Sequence, residues 1–150
     1  MAYQQLLPMG DEGSRDNREL SNITSFVKAG KAVFTILNEK TGNRFTYRVK
    51  RHKENKSLYF VSVLSGSDNV SDYTYIGAIF GNKFRTTKGS RVKSTAPSFV
   101  AFAWFLRNIK NLPEVIKVFH ENRCGRCGRA LTVPESVNNG FGPECIKKVR

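Results

Sequence analysis

Residues 120–145 read HENRCGRCGRALTVPESVNNGFGPEC, and this stretch sets the organisation of the chain. All three cysteines of the protein lie in it, at Cys124, Cys127 and Cys145, and His120 precedes them in the spacing His-x3-Cys-x2-Cys-x17-Cys. Three thiolates and one imidazole form a ligand set that Zn²⁺ takes in closed tetrahedral sites. Glycines inside and just after the Cys-x-x-Cys allow the backbone to turn tightly enough for both sulfurs to reach one ion. The pattern therefore predicts a structural zinc site formed by these four residues.

The same cysteines allow other interpretations. A disulfide framework would leave one of three cysteines unpaired, and a Cys-x-x-Cys can also be a thioredoxin-type redox pair. A redox pair normally opens a helix within a βαβ unit, whereas this one lies among glycines and arginines. Free thiols are a third interpretation, and the spacing favours zinc over all of them.

The C-terminal tail resembles a family of small proteins of unknown function from phages and other mobile bacterial elements. The resemblance rests on the pattern CGRCGRxLTxPESxxxGxGPEC with a preceding histidine, and it is looser upstream of residue 120. The positions that carry it are His120, Arg123, Cys124, Gly125, Cys127, Gly128, Arg129, Leu131, Thr132, Pro134, Ser136, Gly140, Gly142, Pro143 and Cys145. The resemblance implies a zinc-binding module in the bacterial cytoplasm but no particular activity.

The charge of the chain is strongly positive and unevenly distributed. Twenty-five Lys and Arg residues face twelve Asp and Glu residues, a net charge of +13. Residues 21–110 carry sixteen basic and four acidic residues, a net of +12, whereas residues 1–20 carry two and four, a net of −2. A basic excess of this size favours polyanionic partners, above all nucleic acid.

The middle of the chain reads as consecutive strands. Residues 44–51 alternate, with Phe45, Tyr47 and Val49 on one face and basic residues on the other, which indicates a half-buried strand. Further strands are predicted over residues 31–38, 58–64 and 73–80, with an extension over 83–86, and turn residues separate them. Such a run predicts an antiparallel meander.

One long helix is predicted over residues 97–111, where Pro97 suits a first helical turn and Pro113 ends the helix. Its surface is apolar almost all round, so we expect it to pack across the sheet. Residues 115–120 read as a strand that leads into the metal site, and residues 143–149 as a short helix with Cys145 in its first turn.

The predicted architecture is an α+β fold: an antiparallel meander of four to five strands packed on one long helix, with a C-terminal Cys3His zinc module. Three segments are expected, namely a flexible arm over residues 1–20, a basic α+β domain over 21–112 and the zinc module over 113–150. No stretch near the start reads as a signal peptide and no apolar run is long enough to span a bilayer, which predicts a cytoplasmic protein without a membrane partner.

The function expected from this pattern is nucleic-acid binding, to DNA or RNA, mainly through phosphate contacts. The candidate contacts are the cations of the alternating strand, the following turn, the loop before the helix and the zinc loop: Arg44, Arg48, Lys50, Arg51, Lys53, Lys88, Arg91, Lys93, Arg123, Arg126 and Arg129. The last three are expected to form a fork-like phosphate grip around the Cys-x-x-Cys turn.

Enzymatic chemistry is not expected, because the sequence holds no metalloprotease, nucleophile-elbow, phosphate-loop or zinc-deaminase signature. The alternative function is a non-enzymatic protein–protein inhibitor, an anti-defence or host-takeover factor that binds an acidic surface of a host protein. A nucleic-acid binder should lose affinity steeply with salt, whereas an inhibitor should depend on buried aromatic anchors.

Overall fold

The structure, a computed structural model, describes residues 17–68 and 70–149. Most of the predicted N-terminal arm, residues 1–16, lies outside the described residues. The strands are β1 Lys31–Asn38, β2 Arg44–Arg51, β3 Leu58–Leu64, β4 Tyr73–Phe80, β5 Lys83–Arg85 and β6 Ile116–His120. The helices are α1 Ile23–Val27, α2 Pro97–Arg107, α3 Pro134–Asn139 and α4 Pro143–Lys148.

The described strands form one antiparallel sheet of six strands in the order β5-β4-β3-β2-β1-β6. The first five follow the chain order, which confirms the predicted antiparallel character and the meander. The sixth strand differs from the prediction of four to five strands. β6 pairs with the free side of β1, with Phe34 opposite His120 and Asn38 opposite Ile116.

One face of the sheet is covered by α2. The Tyr47 ring meets the Phe102 ring at 4.9 Å and its hydroxyl donates to the Ser98 carbonyl over 2.7 Å, while Phe34 meets Phe105 at 5.8 Å. These aromatic residues of helix and sheet are fully buried, as expected for the apolar helix. Burial raises the pKa of the Tyr47 hydroxyl well above its usual range, so the residue stays neutral.

α2 is shorter than the predicted helix and ends at Arg107, before residue 111. The reason lies at Asn108, whose side-chain amide donates to the Trp104 carbonyl over 2.8 Å and ends the helix locally, before Pro113 is reached. The described residues also include three short helices: α4 matches the short helix predicted over residues 143–149, whereas α1 and α3 are absent from the predicted fold with its one long helix.

The C-terminal segment shares its core with the rest of the protein. Cys124, Leu131, Phe141 and Cys145 belong to the same buried cluster as the sheet and α1. Phe26 of α1 is the central contact and lies 6.3 Å from Phe34 and 5.6 Å from Phe141, measured between ring centroids. The predicted domain boundary at residue 112 therefore cuts through the sheet, because β6 lies beyond the boundary and yet pairs with β1 at one end of the sheet.

Two backbone contacts continue the sheet edge. Glu19 forms an isolated antiparallel bridge with Phe119, and the Lys31 amide donates to the Gly125 carbonyl over 2.8 Å. Among the helices of the described residues, none combines the length and apolarity needed to cross a bilayer.

Candidate metal centre and basic sheet face

The three cysteine sulfurs lie within 4.8 Å of one another. Cys124 and Cys127 are brought together by the turn after β6, which is closed by the Gly128 amide donating to the Cys124 carbonyl over 2.8 Å. Gly128 has φ +80°, a left-handed conformation that favours glycine. Cys145 approaches from the first turn of α4, as predicted. The predicted convergence of these three cysteines is thus present.

Backbone amides surround the Cys124 sulfur. Burial raises its pKa, but the N–H groups of Gly142, Cys127 and Arg126 more than offset this and lower the pKa to about 7. Burial raises the pKa of the Cys145 thiol, and the neighbouring sulfurs of Cys124 and Cys127 raise it further. The Arg126 guanidinium, 3.6 Å from the sulfur, acts in the opposite direction and lowers the pKa, but the net shift is upward. Three crowded thiols that would repel each other as thiolates are a natural site for a cation.

The donor set fits a thiophilic metal. Sulfurs at about 2.3 Å from a tetrahedral ion stand about 3.8 Å from each other, which agrees with the 4.8 Å bound on their separations. Cys124 and Cys145 are buried and Cys127 is exposed, so the cluster lies at the edge of the core. It borders a small cleft of about 250 Å³ that is largely apolar.

His120 lies outside this cluster, and the structure does not show it as a ligand. Its Nδ1 accepts from the Asn122 amide at 2.9 Å, and its Nε2 is hydrogen-bonded to the Val137 carbonyl. The ring is fully buried and stacks on Phe26 at 6.2 Å. Both nitrogens are therefore engaged with backbone groups, and the residue ties β6 to α3.

We expect His120→Ala to retain metal while losing stability. The substitution strands the Asn122 donor and the Val137 acceptor, which costs about 1–3 kcal/mol. Zinc content per folded chain should stay at the wild-type value, and the cobalt-substituted protein should keep its visible spectrum. Loss of the metal from folded His120→Ala, or from the milder His120→Gln, would show that His120 is a ligand after all.

The predicted strand cations lie on the face of the sheet that α2 leaves uncovered. Arg44, Arg48 and Lys50 alternate along β2 with the buried Tyr47 and Val49. In the register, Lys50 stands between Lys31 of β1 and Phe60 of β3. We call this side of β1–β4 the basic face.

A groove of about 610 Å³ opens on the basic face. Its lining includes five cations and one carboxylate: Lys31, Arg48, Lys50, Arg51, Lys53 and Glu54. Phe60 and His52 also line it, with their ring centroids 5.8 Å apart. Such a surface is electrostatically positive and has a partly exposed aromatic ring in its lining.

Arg51 has a structural role in addition. Its guanidinium donates to the Lys28 carbonyl over 2.7 Å and to the Tyr59 hydroxyl over 3.3 Å. The residue therefore fastens the end of β2 to the segment before β1.

The loop before α2 is fixed against the basic face by Tyr75. The Tyr75 and Thr87 hydroxyls are 3.0 Å apart, and the Arg91 amide donates to the Tyr75 carbonyl over 2.9 Å. This attachment holds the backbone of Arg91 against β4, and Lys88 and Lys93 lie on the same loop.

The three arginines of the Cys-rich turn have different neighbours. Arg126 donates to the Cys145 sulfur and Arg129 lines the cleft beside the cluster. Arg123 borders a second pocket of the basic face, of about 390 Å³, together with Arg48 and Tyr73. The structure therefore does not show the predicted fork, and only Arg123 adjoins the basic face.

The sequence reasoning missed the aromatic residues of the basic face. The run LYFVSVL over residues 58–64 is apolar almost throughout, yet in the structure Leu58, Phe60 and Ser62 form one face and Tyr59, Val61 and Val63 the other. Phe60 is 37% exposed, whereas Val61 is fully buried. The feature that could have placed Phe60 on the basic face is the strand register, which pairs it directly with Lys50 of β2.

Comparison with known proteins supports the unknown-function resemblance at the C-terminus. Residues 118–150 match a family of unknown function (DUF6011). The match begins within β6 and covers the cysteine cluster, α3 and α4, so it leaves most of the sheet outside. No curated protein and no solved structure matches the chain. The fold and the site thus define an α+β protein with a C-terminal three-cysteine cluster.

Proposed function

We propose that the protein binds nucleic acid through the basic face, and that a structural zinc ion held by Cys124, Cys127 and Cys145 fixes the fold beside it. The observation that supports this best is the groove lined by five cations and one carboxylate. Phosphate contacts of this kind supply most of the affinity of non-specific nucleic-acid binding. The proposed role is non-catalytic. The resemblance of the tail to proteins of phages and mobile elements supports a role in the service of such an element, in a bacterial cytoplasm.

Zinc is the metal that the donor set favours. Thiolates are soft ligands, and zinc sites with several cysteines commonly serve to hold a fold together. The cluster supplies three ligands of a tetrahedral ion, and its members Cys124 and Cys145 already belong to the hydrophobic core. The metal would then join the turn after β6 to α4.

A salt series tests the proposed function. For about five phosphate contacts, the logarithm of the affinity for duplex DNA should fall with the logarithm of salt concentration with a slope of about −4 to −5. We expect Lys50→Gln to weaken binding and to reduce the slope by about one. The control is Lys110→Gln, an exposed cation that follows α2 on the other side of the sheet and should change nothing. Equal effects of both variants would contradict the assignment of the face.

A second candidate function, inhibition of a host protein, is favoured by an apolar groove on the helix side. This groove of about 610 Å³ lies between α2 and the strands and includes Val100, which is 52% exposed, and Trp104. An aromatic-lined groove of this kind suits a protein anchor. Binding that resists salt and fails on Val100→Asp would support this alternative over nucleic acid.

A further inference from the structure

We infer that the basic face selects single-stranded nucleic acid, with one base stacked on the ring of Phe60. This inference rests on the proposed nucleic-acid function and specifies its ligand. It is carried by the position of an exposed aromatic ring in the middle of a positively charged sheet face.

The Phe60 side chain is poorly explained by packing alone. A phenylalanine in the middle strand of a sheet is normally buried, and this one is 37% exposed while its sequence neighbours Tyr59 and Val61 are buried. Its ring contacts are edge-on or tilted: Tyr75 at 6.1 Å and 65°, and His52 at 5.8 Å and 59°. Neither neighbour stacks on the ring, so both support it from the side.

Cations stand where the phosphates of a stacked nucleotide would lie. Lys50 is the direct cross-strand partner of Phe60, and side chains in such pairs are close enough to act on one ligand. Arg48, opposite Ser62, is the next basic residue along the same face. An aromatic platform flanked by cations is the arrangement by which single strands are bound with little sequence preference.

A second pocket extends this path across the sheet. Arg48 lines both pockets and lies over the Tyr73 ring, 4.5 Å from its centroid. Arg123 borders the second pocket as well. Within the described residues, the Tyr73 hydroxyl is buried without a hydrogen-bond partner. A single strand that continues from Phe60 past Arg48 would therefore meet one further arginine, Arg123, beside the carboxylate of Glu121.

The geometry disfavours duplex at this site. Bases in a duplex are stacked on each other and present only their edges, so an aromatic ring on a broad sheet cannot reach a base face. Helix α2, the longest helix of the described residues, packs on the opposite face of the sheet and cannot enter a groove of a duplex bound here. Duplex would retain only the phosphate contacts.

The test measures affinity for labelled oligo(dT), oligo(U) and a duplex of the same length, by fluorescence anisotropy at fixed salt. We expect Phe60→Ala to weaken binding of the single strands about 10- to 100-fold, as for one lost base stack. Phe60→Tyr, which keeps a flat ring, should restore most of the affinity, while Phe60→Leu should not. Binding to duplex should change less than about twofold in all three variants.

The outcomes separate the two proposals. If wild-type protein binds duplex and single strands equally and Phe60→Ala changes neither, nucleic-acid binding stands and base stacking is overturned. If no nucleic acid binds at low salt, both are overturned. Because Phe60 is partly exposed, the variants are expected to fold, and their thermal melting is compared with that of the wild type before affinity is measured.

Discussion

Cys127→Ser is expected to abolish stoichiometric zinc binding and to unfold the C-terminal segment. Cys127 is exposed, so the substitution of sulfur by oxygen removes a ligand with little loss of packing. Structural zinc contributes about 10–16 kcal/mol of apparent binding free energy in small zinc modules, which exceeds the whole stability of many domains. Zinc content of the purified protein and its melting temperature with and without chelator provide the measurement.

The expected loss extends into the core of the protein. Leu131 and Phe141 lie on the segment that the cluster holds in place, and both belong to the core shared with α1 and the sheet. The matched control is Arg129→Gln, which alters a side chain beside the same cleft without removing a sulfur. A Cys127→Ser protein with full zinc content and an unchanged melting profile would falsify the metal assignment.

The second large effect is expected at Phe26. Its ring is fully buried between the sheet and the Cys-rich segment, so Phe26→Ala should lower the free energy of unfolding by about 3–5 kcal/mol. Urea denaturation followed by circular dichroism measures it. Phe80→Ala, at a ring that is 48% exposed, should cost less than about 1 kcal/mol.

The reason for so large an effect is the close approach of backbone to the Phe26 ring. A Cβ placed on Gly125 would lie 2.8 Å from ring atoms of Phe26, and one on Gly140 would lie 2.9 Å from them. Gly140 also has φ +80°, which ends α3. The backbone at Gly125 and at Gly140 thus packs directly against the ring of Phe26 in α1. An effect of Phe26→Ala as small as that of Phe80→Ala would contradict this arrangement.

Local patterns predicted the strands of the sheet well. The alternation of Arg44–Arg51 placed the bounds of β2 and assigned its faces, and turn residues placed β1, β3 and β4 with the bounds that the structure shows. The pairing of Cys124 with Cys127 followed from the tight Cys-x-x-Cys spacing, and the zinc interpretation of the whole pattern predicted that Cys145 joins them.

Features that depend on distant contacts were not predictable in this way. α1 is too short to produce a helical period, and several contacts of its Phe26 come from Gly125, Gly140 and Phe141, about a hundred positions later. His120 has the right spacing for a ligand, but its Nε2 is hydrogen-bonded to the Val137 carbonyl, a contact that exists only once α3 is placed. The position of Phe60 beside a cation became apparent only from the strand register, which pairs it with Lys50 of β2.

The position of β6 has a consequence for synthesis of the chain on the ribosome. β1 lies between β2 and β6, yet β2 follows it within a few residues and β6 only after residue 115. Until the last strand emerges, the nascent protein presents the outer edge of KAVFTILN with its amides and carbonyls unpaired, and such an apolar edge invites pairing with other chains. Completion of the sheet must wait for the same segment that carries the cysteines, so a nascent chain arrested before residue 116 should be prone to aggregate.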